Sequence, residues 1–146
     1  MRKSQIIFFI LFSLMLFNTT CDEDDAMMPS TNCDQFAIAD NSLYQGAETD
    51  FYDISNVEIF EDCLVIEVSA SGCSGETWEF LLLATEDVME SSPVQRSIKL
   101  VLINQEACLA VFSREVSFDL TDLQVEGENE VVFNLQDYEE SITYTY

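Results

Sequence analysis

The side chains able to do chemistry are few in kind: five cysteines (Cys21, Cys33, Cys63, Cys73 and Cys108), 28 acidic residues and no histidine. The one covalent modification that the residue order points to is lipidation of Cys21. Arg2 and Lys3 open the chain, an apolar run from Ile6 to Phe17 is broken only by Ser13, and Asn18-Thr19-Thr20 leads into Cys21. The run suits a signal h-region and falls short of the roughly 20 residues needed to span a bilayer. Lipoprotein processing requires a cysteine thiol at the new N-terminus with small residues before it, and the expectation is a membrane-tethered protein anchored at Cys21. Giving Cys21 to the lipid leaves four cysteines, an even number suited to disulfides in an oxidising compartment. Four cysteines allow three connectivities. Cys73 with Cys108 and Cys33 with Cys63 are favoured, although spacing alone does not decide between them. A zinc site would need histidine or a Cys-x-x-Cys pair, and the chain has neither.

The remaining chemistry belongs to carboxylates. Without histidine the triads and most general-base schemes are missing, and a histidine-free carboxylate hydrolase acting on glycans stands as the enzymatic alternative. Calcium ligands could come from Asp50 with Asp53, from Glu126-Gly127-Glu128-Asn129-Glu130, or from Asp137 with Glu139 and Glu140, but none follows the spaced Asp-x-Asp-x-Asp-Gly loop. No cofactor or metal site is read. Removing residues 1–20 leaves three basic residues, Arg96, Lys99 and Arg114, against 28 acidic ones, a net charge of −25. Nucleic acid is therefore not an expected partner, since its binding draws on cations that neutralise phosphates. Arg96 is expected to form a structural salt bridge with Glu90 or to brace the Cys73 turn.

These groups must be positioned by short strands. Residues 21–32, with four acids and Pro29-Ser30-Thr31-Asn32, read as a lipid anchor and acidic spacer, and residues 33–146 as one domain. Leu64, Ile66, Val68 and Ala70 alternate with Glu67, Ser69 and Ser71, the pattern of a half-buried strand, and Glu61-Asp62 supplies a hairpin turn before it. Gly72-Cys73-Ser74-Gly75 must turn sharply. Further strands start near Thr77 and cover Val94 to Ile103, Ala107 to Arg114, Glu115 to Leu120, Glu130 to Leu135 and Ser141 to Tyr146. Seven or eight such strands predict an all-β fold, an antiparallel β-sandwich of immunoglobulin-like kind braced by disulfides.

The expected core is Val57, Ile59, Leu64, Ile66, Val68, Trp78, Phe80, Leu82, Ile98, Leu100, Leu102, Val111, Phe118, Leu120, Val131, Phe133 and Leu135. Leu81, Leu83, Val101 and Ile103 fall on the opposite face. They are core if something covers them, and a patch for an envelope protein if exposed. Among the aromatics, Tyr44, Phe51, Tyr52, Tyr138, Tyr144 and Tyr146 are the candidates for an exposed surface.

The relaxed signal followed by Asp22-Glu23-Asp24-Asp25 resembles those of Bacteroidota lipoproteins, in which such acids favour export to the outer surface. Over about residues 55 to 146 the chain is similar to a group of small uncharacterised bacterial lipoproteins. The similarity runs through Asp62-Cys63-Leu64-Val65-Ile66-Glu67-Val68, the turn Ser71-Gly72-Cys73-Ser74-Gly75-Glu76-Thr77-Trp78, the segment Pro93-Val94-Gln95 and Cys108. The resemblance implies a Cys73 to Cys108 bridge and an outer-membrane lipoprotein at the cell surface or periplasmic face. It implies no activity. A binding or accessory module of the envelope is the expected role, with a structural or protective protein as the alternative.

Overall fold

The computed structural model describes residues 33–146, so the signal, Cys21 and the spacer lie outside the described residues. The elements are β1 (Gln35–Ala39), a short helix α1 (Asn41–Gly46), β2 (Asp53–Phe60), β3 (Cys63–Gly72), β4 (Glu79–Ala84), β5 (Val94–Ile103), β6 (Ala110–Asp119), a 3-10 turn (Thr121–Leu123), β7 (Glu130–Leu135) and β8 (Ser141–Thr145). Alternation in β3 has the predicted effect: Leu64, Ile66, Val68 and Ala70 are buried, and the residues between them are not. Glu61 at the β2–β3 turn takes a left-handed φ of 54°, which lets two residues reverse the chain.

All eight strands belong to one mixed sheet in the order β2-β3-β6-β1-β4-β5-β7-β8. The all-β class is as expected, but the strictly antiparallel pairing is corrected in three places: β1 runs parallel to both β4 and β6, and β5 runs parallel to β7. Parallel neighbours need a long connection. Between β5 and β7 the chain supplies one by laying β6 into the other half of the sheet. β1 is a junction: Gln35 and Phe36 pair with Phe118 and Asp119 of β6, then Ala37 to Ala39 pair with Leu82 to Ala84 of β4. Joined by β1, the two halves make a continuous order where two separate sheets were expected, and they curl around one core. That cluster takes Leu64, Ile66, Val68 and Phe118 from one half and Phe80, Leu82, Leu100, Val131, Phe133 and Tyr144 from the other.

The predicted strands Ala107 to Arg114 and Glu115 to Leu120 are one strand, β6, and this shifts the inward parity of its first half. Phe118 and Val116 point inward, so Arg114 and Phe112 share their side while Val111 is 71% exposed. The assignment of Val111 to the core is thereby corrected. Trp78 is buried edge-on to Phe80. Two disulfides, Cys33–Cys63 and Cys73–Cys108, have Cα–Cα distances of 5.6 and 4.9 Å. The first fixes the entry to β1 and the second joins the β3–β4 and β5–β6 connections.

Candidate functional site

Two groups of carboxylates organise the surface around this frame. The first is a single acid held by a turn. Bridging Cys73 to Cys108 brings the segment before Cys108 against Gly72-Cys73-Ser74-Gly75, and Glu106 places its carboxylate inside that turn. Oε2 accepts hydrogen bonds from the backbone N–H of Cys73, of Ser74 at 2.9 Å and of Gly75 at 3.0 Å, while Oε1 accepts from Thr77 Oγ1 at 2.8 Å. Successive N–H groups converging in this way form an anion-binding nest.

Backbone geometry makes the nest. Gly75 has φ of +73°, a conformation that costs an L-residue with a Cβ about 1–2 kcal/mol. A Cβ on Gly72 would collide with the Glu106 carboxylate and the Trp78 ring. Arg114 donates to the Gly75 carbonyl from Nη1, so this cation, and not Arg96, braces the Cys73 turn. The N–H donors of Ser74 and Gly75, with help from Thr77 and Cys73, outweigh desolvation and hold the Glu106 pKa down at about 2. A general acid needs the opposite shift.

The second group lies at the far end of β5. β7 pairs with β5 only from Val94 to Ile98, and the segment before β2 takes over the remaining edge. The Asp50 N–H donates to the Leu102 carbonyl (2.9 Å), the Leu102 N–H to Thr49 Oγ1 (2.9 Å), and the Asn104 N–H to Asp50 Oδ2 (2.7 Å). Tyr52 Oη donates to the Leu100 carbonyl at 2.8 Å. Burial, with the nearby Asp137 charge, raises the Tyr52 pKa to about 12, so this phenol stays a protonated donor.

Between this segment and the β7–β8 turn opens a cleft of about 580 Å³ lined by Thr49, Asp50, Phe51, Tyr52, Asp53, Ile54 and Asp137. Phe51 is 82% exposed, and Asp137 stands in a left-handed conformation with φ of 63°. Three carboxylates, an open aromatic face and no basic residue line this space. Such a lining suits an ammonium or guanidinium group, attracted by charge and by the ring quadrupole.

Sequence reading had placed Asp50 with Asp53 and Asp137 with Glu139 and Glu140 in separate clusters; folding brings the first pair to Asp137. Among the described residues no group of three or more such side chains is arranged to hold a metal ion. Of the aromatics expected at the surface, Phe51 is exposed, Tyr144 is fully buried, and Tyr52, Tyr138 and Tyr146 pack against the core. Tyr144 donates from its hydroxyl to Asp62 Oδ1 and accepts from Gln124 Nε2 at 2.9 Å. Burial, together with that bond to Asp62, raises its pKa to about 12.

Among the four residues of the predicted partner patch, Leu83 and Val101 are buried, Leu81 is half-buried and Ile103 is 37% exposed. The segment carrying α1 covers that face: Lys99 donates to the Ala47 carbonyl at 2.9 Å and lies 5.4 Å from the centre of the Tyr44 ring. Arg96 does not form the expected salt bridge among the described residues. It occupies the core-facing row of β5 between Val94 and Ile98, with Nε buried and unpartnered, and burial lowers its pKa. The Glu106 nest was missed in the sequence. Its signal was the glycine-flanked Cys73 turn together with an acid two residues before Cys108.

No protein-family model and no curated protein matches the sequence. Among solved structures the chain is similar to a protein of unknown function, DUF1344, from Bacteroides vulgatus, with a TM-score of 0.51 and 15% identity over 77% of this chain and 56% of that one. A putative toxin-related protein from Parabacteroides distasonis is similar with a TM-score of 0.49 and 16% identity over 77% of this chain and 60% of that one. The chain thus spans less than two thirds of either neighbour. The likeness to the Bacteroides vulgatus protein is one of fold.

Proposed function

We propose that the protein is a lipid-anchored binding module of the bacterial envelope whose cleft receives a cationic ligand. The basic and apolar start before Cys21 and the disulfides support the location, since lipidation and stable bridges both belong outside the cytoplasm. The observation that carries the binding role is the open cleft itself, where Phe51 is 82% exposed beside Asp50, Asp53 and Asp137. A large aromatic left in water forgoes burial worth about 1.5–3 kcal/mol. Stacking on an amine-bearing ligand recovers part of that. The net charge of −23 over the whole sequence raises the local concentration of cations around the cleft.

Titration with spermidine and with an oligolysine peptide, followed by amide chemical shifts, tests the reading. Saturable shifts confined to Thr49–Ile54 and Asp137 are expected, with binding weakened about tenfold by Phe51→Ala, the size of a cation–π contact in a partly desolvated site. Shifts scattered over the whole acidic surface, unaffected by Phe51→Ala, would sink it. Mass analysis of the mature N-terminus tests the anchor, and an unmodified Cys21 would remove the lipid from the proposal.

A further inference from the structure

Leu83 and Val101 of the expected partner patch are buried, and larger apolar exposure stands elsewhere, at the start of β6. Leu109 is 91% exposed and Val111 is 71% exposed. Leu109 immediately precedes the strand and Val111 is its second residue. The strand that carries Val111 is also short of a neighbour. β6 pairs with β3 along its whole length, from Ala110 opposite Gly72 to Asp119 opposite Cys63. On its other side, β1 reaches only Phe118 and Asp119. The Asp34 carboxylate then accepts the Ser117 N–H at 2.9 Å and closes the next position. From Ala110 to Val116, no described strand pairs with that side of β6.

Open edges are usually blunted by lysine, proline, a bulge or a covering loop. β6 has neither lysine nor proline, and its register with β3 runs without a bulge. The surrounding charge is acidic. Glu115 is exposed on the strand itself, Glu76 follows Gly75 where that turn touches Arg114, and Asp34 sits at the closed end. Arg114, the one cation on β6, is engaged by the Gly75 carbonyl.

We infer that the Ala110–Val116 edge of β6 is a docking site for an extended segment of a partner protein whose outward face, every second residue, carries apolar side chains at one end and basic ones at the other, matching Val111 and Glu115 on the same face of β6. Main-chain hydrogen bonds to the edge hold such a segment. Its apolar side chains cover Leu109 and Val111, and its basic ones meet Glu115 and Glu76. A second copy of this chain is the poorer occupant, because pairing two identical edges brings two strongly acidic molecules together. The site is separate from the cleft at Phe51, and either stands without the other.

A synthetic peptide with valines and then lysines at every second position, separated by serine or threonine, tests this on the full chain, with hydrogen exchange read residue by residue. Binding should protect alternate amides between Ala110 and Val116, and that protection should be the same in Phe51→Ala, which weakens the cleft alone. The same peptide N-methylated on alternate amides keeps its charge and loses its donors, and should bind about tenfold more weakly or worse. Val111→Lys in the protein should weaken the unmodified peptide in the same direction. Equal affinity for the N-methylated peptide would reduce the effect to charge alone and overturn the proposal. So would protection confined to the cleft with none between Ala110 and Val116, or dimerisation of the free protein through this edge in sedimentation.

Discussion

Glu106 and Asp137 are both carboxylates on turns of the same acidic protein, yet the fold treats them in opposite ways. Glu106 is enclosed by the N–H groups of Cys73, Ser74 and Gly75 and held ionised down to about pH 2. Asp137 lies beside Asp50 and Asp53 in an open cleft, on a backbone with φ of 63°. One carboxylate closes a structure by satisfying donors that the backbone would otherwise leave bare. The other adds to a concentration of like charge that only an external group can neutralise. Acid count alone says nothing of role; the positions of the N–H donors decide it.

The sharpest break of this contrast removes the covalent frame of the nest. Replacing Cys73 and Cys108 together by serine opens a link between residues 35 apart, which in the chain-entropy model is worth about 3–4 kcal/mol. Denaturant unfolding of the reduced-loop variant should show that loss, with amides of Ser74 and Gly75 exchanging faster. Unchanged protection there would mean that Glu106 holds the turn without the bridge.

Next comes the acid itself. Glu106→Gln keeps the shape but presents weaker acceptors to the backbone donors, and Tm should fall by roughly 5–10 °C at neutral pH. The pH dependence carries the sign. With its folded pKa lowered to about 2, ionised Glu106 contributes stability that is present above the ordinary glutamate range and is lost as pH falls toward 2. The gap between wild type and Glu106→Gln should therefore close over that acid window. A gap that persists at pH 2 would show that the carboxylate is not what the nest recognises.

How far these features were legible depends on whether they are local. β3 announces itself because period-two burial is written into the strand, β5 because its run from Ile98 to Leu102 is apolar on both faces apart from Lys99, and the Glu61-Asp62 turn needs only its neighbours. β1 was missed: its five residues, Gln35–Ala39, bury a single side chain, Ala37, so they carry no alternation to read. Its parallel pairings with β4 and β6 are tertiary choices that no spacing encodes. Val111 was misplaced because Arg114 and Glu115 look like a break between strands. They are instead the middle of β6, where Arg114 leaves the core-facing row to reach Gly75. The nest joins residues about 30 apart through a bridge, and the cleft joins Asp50 and Asp53 to Asp137 across the sheet. For the nest the turn and the bridge were visible and the acid was not; for the cleft the acids and Phe51 were visible and their meeting was not.

In the cleft the effect of removing an acid should reverse. Asn tolerates left-handed backbone well, so Asp137→Asn keeps the turn while deleting one of three neighbouring charges. Stability should stay within about 0.5 kcal/mol of wild type or rise slightly, while spermidine or oligolysine binding weakens. A loss of stability as large as that of Glu106→Gln would erase the distinction between the two sites.

The smallest effect tests whether unheld acids cost stability outside the cleft as well. Glu67 of β3 lies directly opposite Glu115 of β6 in the ladder, and like charges placed opposite one another across strands are destabilising by about 0.2–1 kcal/mol. Glu67→Gln should therefore raise stability by that amount at low salt and by less at high salt, where screening already weakens the repulsion. Adding Glu115→Gln should gain little more, because one substitution abolishes the pair. A double-mutant cycle with no coupling would assign the gain to side-chain propensity. Coupling that disappears when a basic strand occupies β6 would instead tie this cost to the docking edge, since neighbouring acids kept unpaired on the free protein become favourable once a cation lies against them.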